Sequence, residues 1–248
     1  VASTRYAFVV AGVASLTLAA LSMGLPHTPP KPASAAREGL AWLEAVKLLA
    51  KPFVLVLFVV TFLDAAVHQG YFMFTNEYLK HIGVEGNWSM PMMKLGQLAE
   101  IGTMMALGAV LKRLGWRMTM ILGILGHAAR FAVFAFFPEY KAAIILINVI
   151  HGVAYAFFFA TVYIFVDEFF PKDARSSAQG LFNFMILGCG PFVANLAWPA
   201  IAAGYKAEAG QLEYADFFLA PAGTAFAAAL YLFLFFRPPA RAESTPAH

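Results

Sequence analysis

Leu111-Lys112-Arg113-Leu114-Gly115-Trp116-Arg117 sets three cations and a glycine between two apolar stretches, 90–111 and 117–137. A hydrocarbon core about 30 Å thick takes about 20 apolar residues as helix, so each stretch has the length to cross it. The break between them then reads as a tight loop at a membrane surface. Outward from it, five more stretches of the same kind follow at 6–25, 52–79, 141–166, 176–203 and 215–236, which predicts seven transmembrane helices. The remaining breaks carry charge or turn formers, as in Pro138-Glu139-Tyr140-Lys141 and Phe170-Pro171-Lys172-Asp173-Ala174-Arg175.

Composition agrees with this reading. The 248 residues are 61% hydrophobic and 12% charged, where soluble chains carry roughly 25% charge. The mean hydropathy is +0.70. Such a chain cannot clothe a water-facing surface, and an all-α membrane protein is the class that fits. A disordered chain and a disulfide scaffold are excluded, the latter because Cys189 is the only cysteine. The net charge of +3 reads as membrane topology rather than nucleic-acid binding.

Segment 26–51 cannot be a membrane helix where Pro26, Pro29, Pro30 and Pro32 open it. Its second half, Gly39 to Lys51, mixes Trp42, Leu43, Val46 and Leu49 with Glu44, Lys47 and Lys51, a pattern suited to a short interfacial helix. Alternating the loops puts eleven Lys and Arg residues on the side of this linker and four on the other, with Lys94 and Arg130 left within spans. The excess places the linker and the C-terminus in the cytoplasm. The chain begins at Val1 without Met and enters an apolar span at once. One helix, a Pro-rich linker and six further helices read as the last helix of one transporter half (1–25), a cytoplasmic linker (26–51), a complete six-helix half (52–236) and a cytoplasmic tail (237–248). Two inverted three-helix repeats would then occupy 52–137 and 141–236.

Ionisable groups at mid-bilayer cost roughly 2.5–3.5 kcal/mol each on insertion scales and persist only against partners or water. Glu100, His151 and His68 lie near the midpoints of their spans, and Arg130 lies about two turns from the end of its own. Asp64 shares a helix face with His68, as His127 does with Arg130. Lys94, Gln97 and Glu100 recur every three residues and form a stripe able to hydrogen-bond a hydroxylated ligand. Gly96, Gly102 and Gly108 thin the same helix for close packing. Asn148, His151 and Tyr155 share a face whose aromatic rings can stack on a base or sugar. His68, Gln69, Tyr71 and Phe72 add a polar–aromatic cluster, with Gln69 a ligand candidate, whereas Phe157-Phe158-Phe159 reads as lipid contact and packing. Arg113, Asp167, Glu168 and Arg175 are candidates for gating ion pairs at the cytoplasmic ends. The structural alternative for Glu100 is an ion pair with Arg130. No zinc-protease, serine-hydrolase or phosphate-loop motif occurs, no metal or cofactor is called for, and the chain is not read as an enzyme.

Several runs carry a family resemblance. They are Arg175-Ser176-Ser177-Ala178-Gln179-Gly180-Leu181 after Phe165-Val166-Asp167-Glu168, and Gly96-Gln97-Leu98-Ala99-Glu100 after Met90-Pro91. Leu111-Lys112-Arg113-Leu114-Gly115, Arg130-Phe131-Ala132-Val133-Phe134-Ala135 and His151-Gly152-Val153-Ala154-Tyr155-Ala156-Phe157-Phe158 complete the set. In order and spacing the chain resembles the C-terminal half of the nucleoside:proton symporter family of the major facilitator superfamily. The resemblance implies a transporter bundle in a bacterial inner membrane that takes up nucleosides with protons. It implies a proton gradient as the energy source, and as partners the bilayer, a small hydroxylated solute and the N-terminal half of the same transporter. It assigns nucleoside recognition to Gln97 and Glu100 and substrate contact to the positions of His151 and Tyr155, which carry Tyr and Phe in the family pattern. Ala156 stands where that pattern has an intramembrane Asp, so proton coupling would pass to Glu100 with Arg130 and His151. That trio also resembles the acid, Arg and His of lactose permease. A sugar or metabolite symporter on the same fold, and a membrane binding or regulatory module that does not translocate, are the other readings.

Overall fold

The computed structural model describes residues 2–26, 43, 46–170, 174–207 and 210–238. The described residues are helical apart from short connections and one isolated bridge, Lys206 to Leu212. The chain divides into two units, Val1–Gly39 and Leu40–His248. The first holds helix α1, Ala2–Ser22. Its hydroxyls at Thr17 and Ser22 donate to the carbonyls of Val13 and Leu18, so they are satisfied within the helix. A helix without water around it needs that.

The second unit carries α2 (Pro52–His81), α3 (Gly86–Phe136), α4 (Lys141–Phe169), α5 (Arg175–Ala203) and α6 (Tyr214–Phe235), and all six helices are long and apolar enough to cross a membrane. Pro52 starts α2, where a missing amide proton costs nothing, and Lys80 and His81 sit in its last turn against the carbonyl end. The bounds follow the sequence expectation closely, except that 90–111 and 117–137 run together as α3. That helix is interrupted at Gly115, whose φ of 73° and ψ of 174° are not helical. A residue with a side chain adopts that conformation at a cost, so the glycine of the Leu111–Arg117 break is what divides α3 into arms 86–114 and 116–136. The interfacial helix and linker expected over 26–51 lie outside the described residues, save for fragments and a 3-10 turn at Leu48–Ala50, as does the tail beyond 238.

α4 and α5 each contain a π-helical turn, Tyr155–Ala160 and Phe184–Cys189. In α4 the extra residue per turn brings both Phe158 and Phe159 fully inside, where they pack in the core, while Phe157 stays half-buried. Inside a bilayer, apolar side chains gain nothing by leaving water, so the bundle is held by close packing. Its core is accordingly aromatic: Tyr78, Phe134, Phe217 and Phe218 contact one another with ring centroids 4.9–5.5 Å apart. Trp198 of α5 donates its Nε1–H to the Ala66 carbonyl of α2 at 2.7 Å.

Candidate functional site

Three helices meet in a buried polar network. On α2, Asp64 and His68 project one turn apart. The Asp64 Oδ1 accepts from His127 Nδ1 of α3 at 2.8 Å, with both side chains fully buried. The other ring nitrogen of His127, Nε2, lies 3.3 Å from His68 Nδ1. His68 in turn stacks on His151 of α4, with ring centroids 5.0 Å apart and planes 25° from parallel. One turn beyond His127, the Arg130 guanidinium bonds His151 Nδ1 at 3.0 Å and sits 3.8 Å above the Tyr71 ring. The Tyr71 hydroxyl donates to Asn148 at 2.9 Å. A guanidinium only donates, so His151 Nδ1 must accept, and a neutral His151 carries its proton on Nε2. That N–H is the donor this ring can offer to the space beside it.

The space is a cleft of about 700 Å³ lined by His68, Phe72, Gln97, Glu100, Ile101, Met104, Met105, His151 and Tyr155. Gln97 and Glu100 reach it because the first arm of α3 lies backbone-to-backbone on α4. A Cβ on Gly96 would stand 2.5 Å from the Asn148 carbonyl and 2.6 Å from His151 Cβ, and one on Gly152 would strike the Glu100 backbone. Gly102 and Gly108, expected to serve the same purpose, have nothing within 4 Å. Lys94 donates to Gln97 Oε1 at 3.0 Å and so leaves the Gln97 amide N–H groups free for a ligand. Glu100 has no hydrogen bond or ion pair to any described residue. The structural alternative, a Glu100–Arg130 ion pair, is therefore not formed, and Arg130 serves His151.

The sequence candidates thus divide. Gln97, Glu100, His151 and Tyr155 converge on the cleft, and Arg130 stands behind it. Gln69 is half-buried but does not line it. Of the gating candidates, Arg175 bonds the Phe170 carbonyl and lies 3.5 Å from Asp167, and Arg113 is exposed. His68, judged on depth alone, is a wall of the cleft. The Asp64–His127 bond and the Tyr71–Arg130 stack were not foreseen. The shared helix faces of Asp64 with His68 and of His127 with Arg130 were the available signal.

A family model described as nucleoside H+ symporter matches residues 1–241. The chain belongs to that family. It is 33% identical over 197 residues to YegT of Escherichia coli (strain K12), covering 77% of this chain and 45% of YegT. It is 27% identical over 241 residues to the xanthosine permease of the same organism, covering 92% and 57%. A crystal structure of a mutant of the nucleoside transporter NupG shares the fold, with a TM-score of 0.74 at 24% identity over 90% of this chain and 58% of that one. The chain therefore spans about half the length of the curated relatives it matches. Membership makes it a multi-pass membrane protein of a transporter family, and the NupG fold agrees with the helical bundle described above.

Proposed function

We propose that this member of the nucleoside H+ symporter family provides the C-terminal half of a proton-coupled nucleoside transporter, acting with an N-terminal half across a bacterial inner membrane, with its C-terminus cytoplasmic. The observation that carries the reading is the cleft. It joins aromatic walls at Phe72 and Tyr155, suited to the faces of a base, to a carboxylate, an amide and imidazoles suited to sugar hydroxyls and base edges. Glu100, without a described partner and open to the cleft, binds the ligand and takes up a proton from one side of the membrane, releasing it when the site opens inward. Arg130 holds His151 in the tautomer that donates. Arg175 with Asp167 and Glu168, together with Arg113, breaks and remakes contacts as the carrier alternates. The energy source is the proton gradient, and no cofactor is needed.

Counterflow of labelled uridine in proteoliposomes of the complete transporter tests the substrate class. Excess nucleosides should suppress it and disaccharides should not; the reverse pattern moves the protein to sugar transport on the same fold. No counterflow of either solute leaves a binding module. The proton role of Glu100 is tested separately: Glu100→Gln should stop pH-driven accumulation, and full accumulation in that variant removes the role.

A further inference from the structure

Asp64 is the one fully buried carboxylate among the described residues. Its Oδ1 is bonded to His127, while Oδ2 has no partner. A carboxylate half-bonded inside a bundle is costly to keep, and packing does not require it. Its one partner is an imidazole, which is itself bonded to a second imidazole on the cleft wall. We infer that the His127–Asp64 pair is a second proton-binding site behind the substrate cleft, reached through His68. The inference rests on the symport reading above and adds to it a residue path for the proton.

Donor and acceptor roles define the path. Asp64 accepts from His127 Nδ1–H, so a neutral His127 presents Nε2 as an acceptor, and His68 must supply the proton between the rings from its Nδ1. His68 Nε2 then faces the cleft as a lone pair. A proton arriving from the cleft binds His68 Nε2, and the Nδ1 proton passes to His127 Nε2. The net change is one proton: His127 becomes an imidazolium beside the Asp64 carboxylate, and His68 is left neutral with its proton on Nε2. The cleft-facing atom of His68 has meanwhile changed from acceptor to donor. A ligand in the cleft therefore meets a different hydrogen-bonding wall in the two protonation states, which is the differential contact that coupling requires.

Other ionisable groups bound the site. Arg130, His151 and Tyr155 face His68 from α3 and α4, Tyr71 lies on α2 itself, and Glu100 and Lys94 stand on the first arm of α3. α5 meets this part of α2 through Gly190 and Trp198, neither of them ionisable; α6 meets α2 through Phe217 against Phe74, and its ionisable Tyr214 contacts Tyr78 and His81 at the far end of α2.

The test uses proteoliposomes of the complete transporter and reads uridine counterflow, accumulation under an imposed pH gradient, and alkalinisation of the medium when uridine is added. Absence of all three from the wild type overturns the symport reading itself; failure of the present inference shows only in variants of a working carrier. Asp64→Asn and His127→Gln should lose accumulation and uridine-dependent alkalinisation while counterflow persists, and Asp64→Glu should recover alkalinisation. His68→Gln, on the cleft wall, should lose alkalinisation with the buried pair intact, and it decides the matter if Asp64→Asn does not fold. Wild-type accumulation and alkalinisation in His127→Gln or His68→Gln overturns the inference. So does loss of counterflow together with accumulation in all the variants, since that outcome makes the network purely structural.

Discussion

The two arms of α3 are continuous in sequence, similar in composition and opposite in use. In the arm 86–114, Leu98 is 65% and Ile101 63% exposed, and the ionisable groups Lys94 and Glu100 are open or half-open. In the arm 116–136, His127, Arg130, Phe131 and Phe134 are completely buried. Two side chains of the buried arm bond neighbouring helices, His127 to Asp64 and Arg130 through Nη1 to His151, although Arg130 Nε and Nη2 have no partner among the described residues. The open arm leaves Glu100 without a partner and aims it, with Gln97, into the cleft. Polar residues at comparable depth therefore do two different jobs. Bonded to one another, they join neighbouring helices; in the open arm Glu100 is left without a described partner on the wall of the cleft. Stability should reside in the second arm and ligand recognition in the first.

The largest expected effect tests the buried arm. His127→Leu leaves the Asp64 carboxylate buried with neither oxygen bonded. Stranding a buried charge in this way costs about 3 kcal/mol. Thermal unfolding of the purified protein in detergent should show the loss. Adding Asp64→Leu should return most of it, because the stranded group is then gone. A His127→Leu protein as stable as wild type would break the contrast between the arms at its strongest point.

A smaller loss should come from the seam that joins the open arm to α4. Gly152→Val puts a branched side chain against the Glu100 backbone, with no flexible group there to yield. Overpacking of this kind costs about 2 kcal/mol. The same displacement carries Glu100 and Gln97 away from His151, so nucleoside affinity should fall along with stability. Gly102→Ala, whose added Cβ would have nothing described within 4 Å, should change neither. Comparing ligand binding and unfolding of the two glycine variants separates a close-packed seam from a merely small-residue helix.

The spans could be read from sequence because length and hydropathy suffice to mark a helix in a bilayer, and the charged Leu111–Arg117 break carried the glycine that divides α3. Gln97, Glu100, His151 and Tyr155 were legible for a related reason: a polar group at mid-span, in register with others on its own helix, has few explanations. Partnerships between helices were not legible. Asp64 and His127 stand 63 residues apart, and only the packing of α2 on α3 brings them together. Tyr71 resembles an ordinary packing aromatic until Arg130 lies on its face. Which rings of Phe157-Phe158-Phe159 pack and which meet lipid could not be divided from sequence, because a π turn changes the period on which such a reading relies and turns Phe158 and Phe159 both inward. Arg130 groups with Glu100 and His151 in the sequence, and only the packing of the second arm of α3 on α4 shows that its hydrogen bond goes to the imidazole.

The smallest expected effect on stability is also the sharpest test of the contrast. Glu100 touches no described hydrogen-bond partner, so Glu100→Gln removes no bond, keeps the shape of the side chain and deletes only its charge. A substitution of this kind should alter stability by no more than about 0.5 kcal/mol. Transport should respond in the opposite proportion, with pH-driven accumulation lost although the unfolding temperature hardly moves. His127→Leu should move both, since its histidine bonds Asp64 across the bundle and is, on the proton path inferred above, the group that takes the proton. The diagnostic quantity is therefore the ratio of transport loss to stability loss in each arm, measured on the same preparations. If Glu100→Gln lowered stability as much as His127→Leu, Glu100 would have to be bonded within the folded carrier, and the open arm would be a second structural arm.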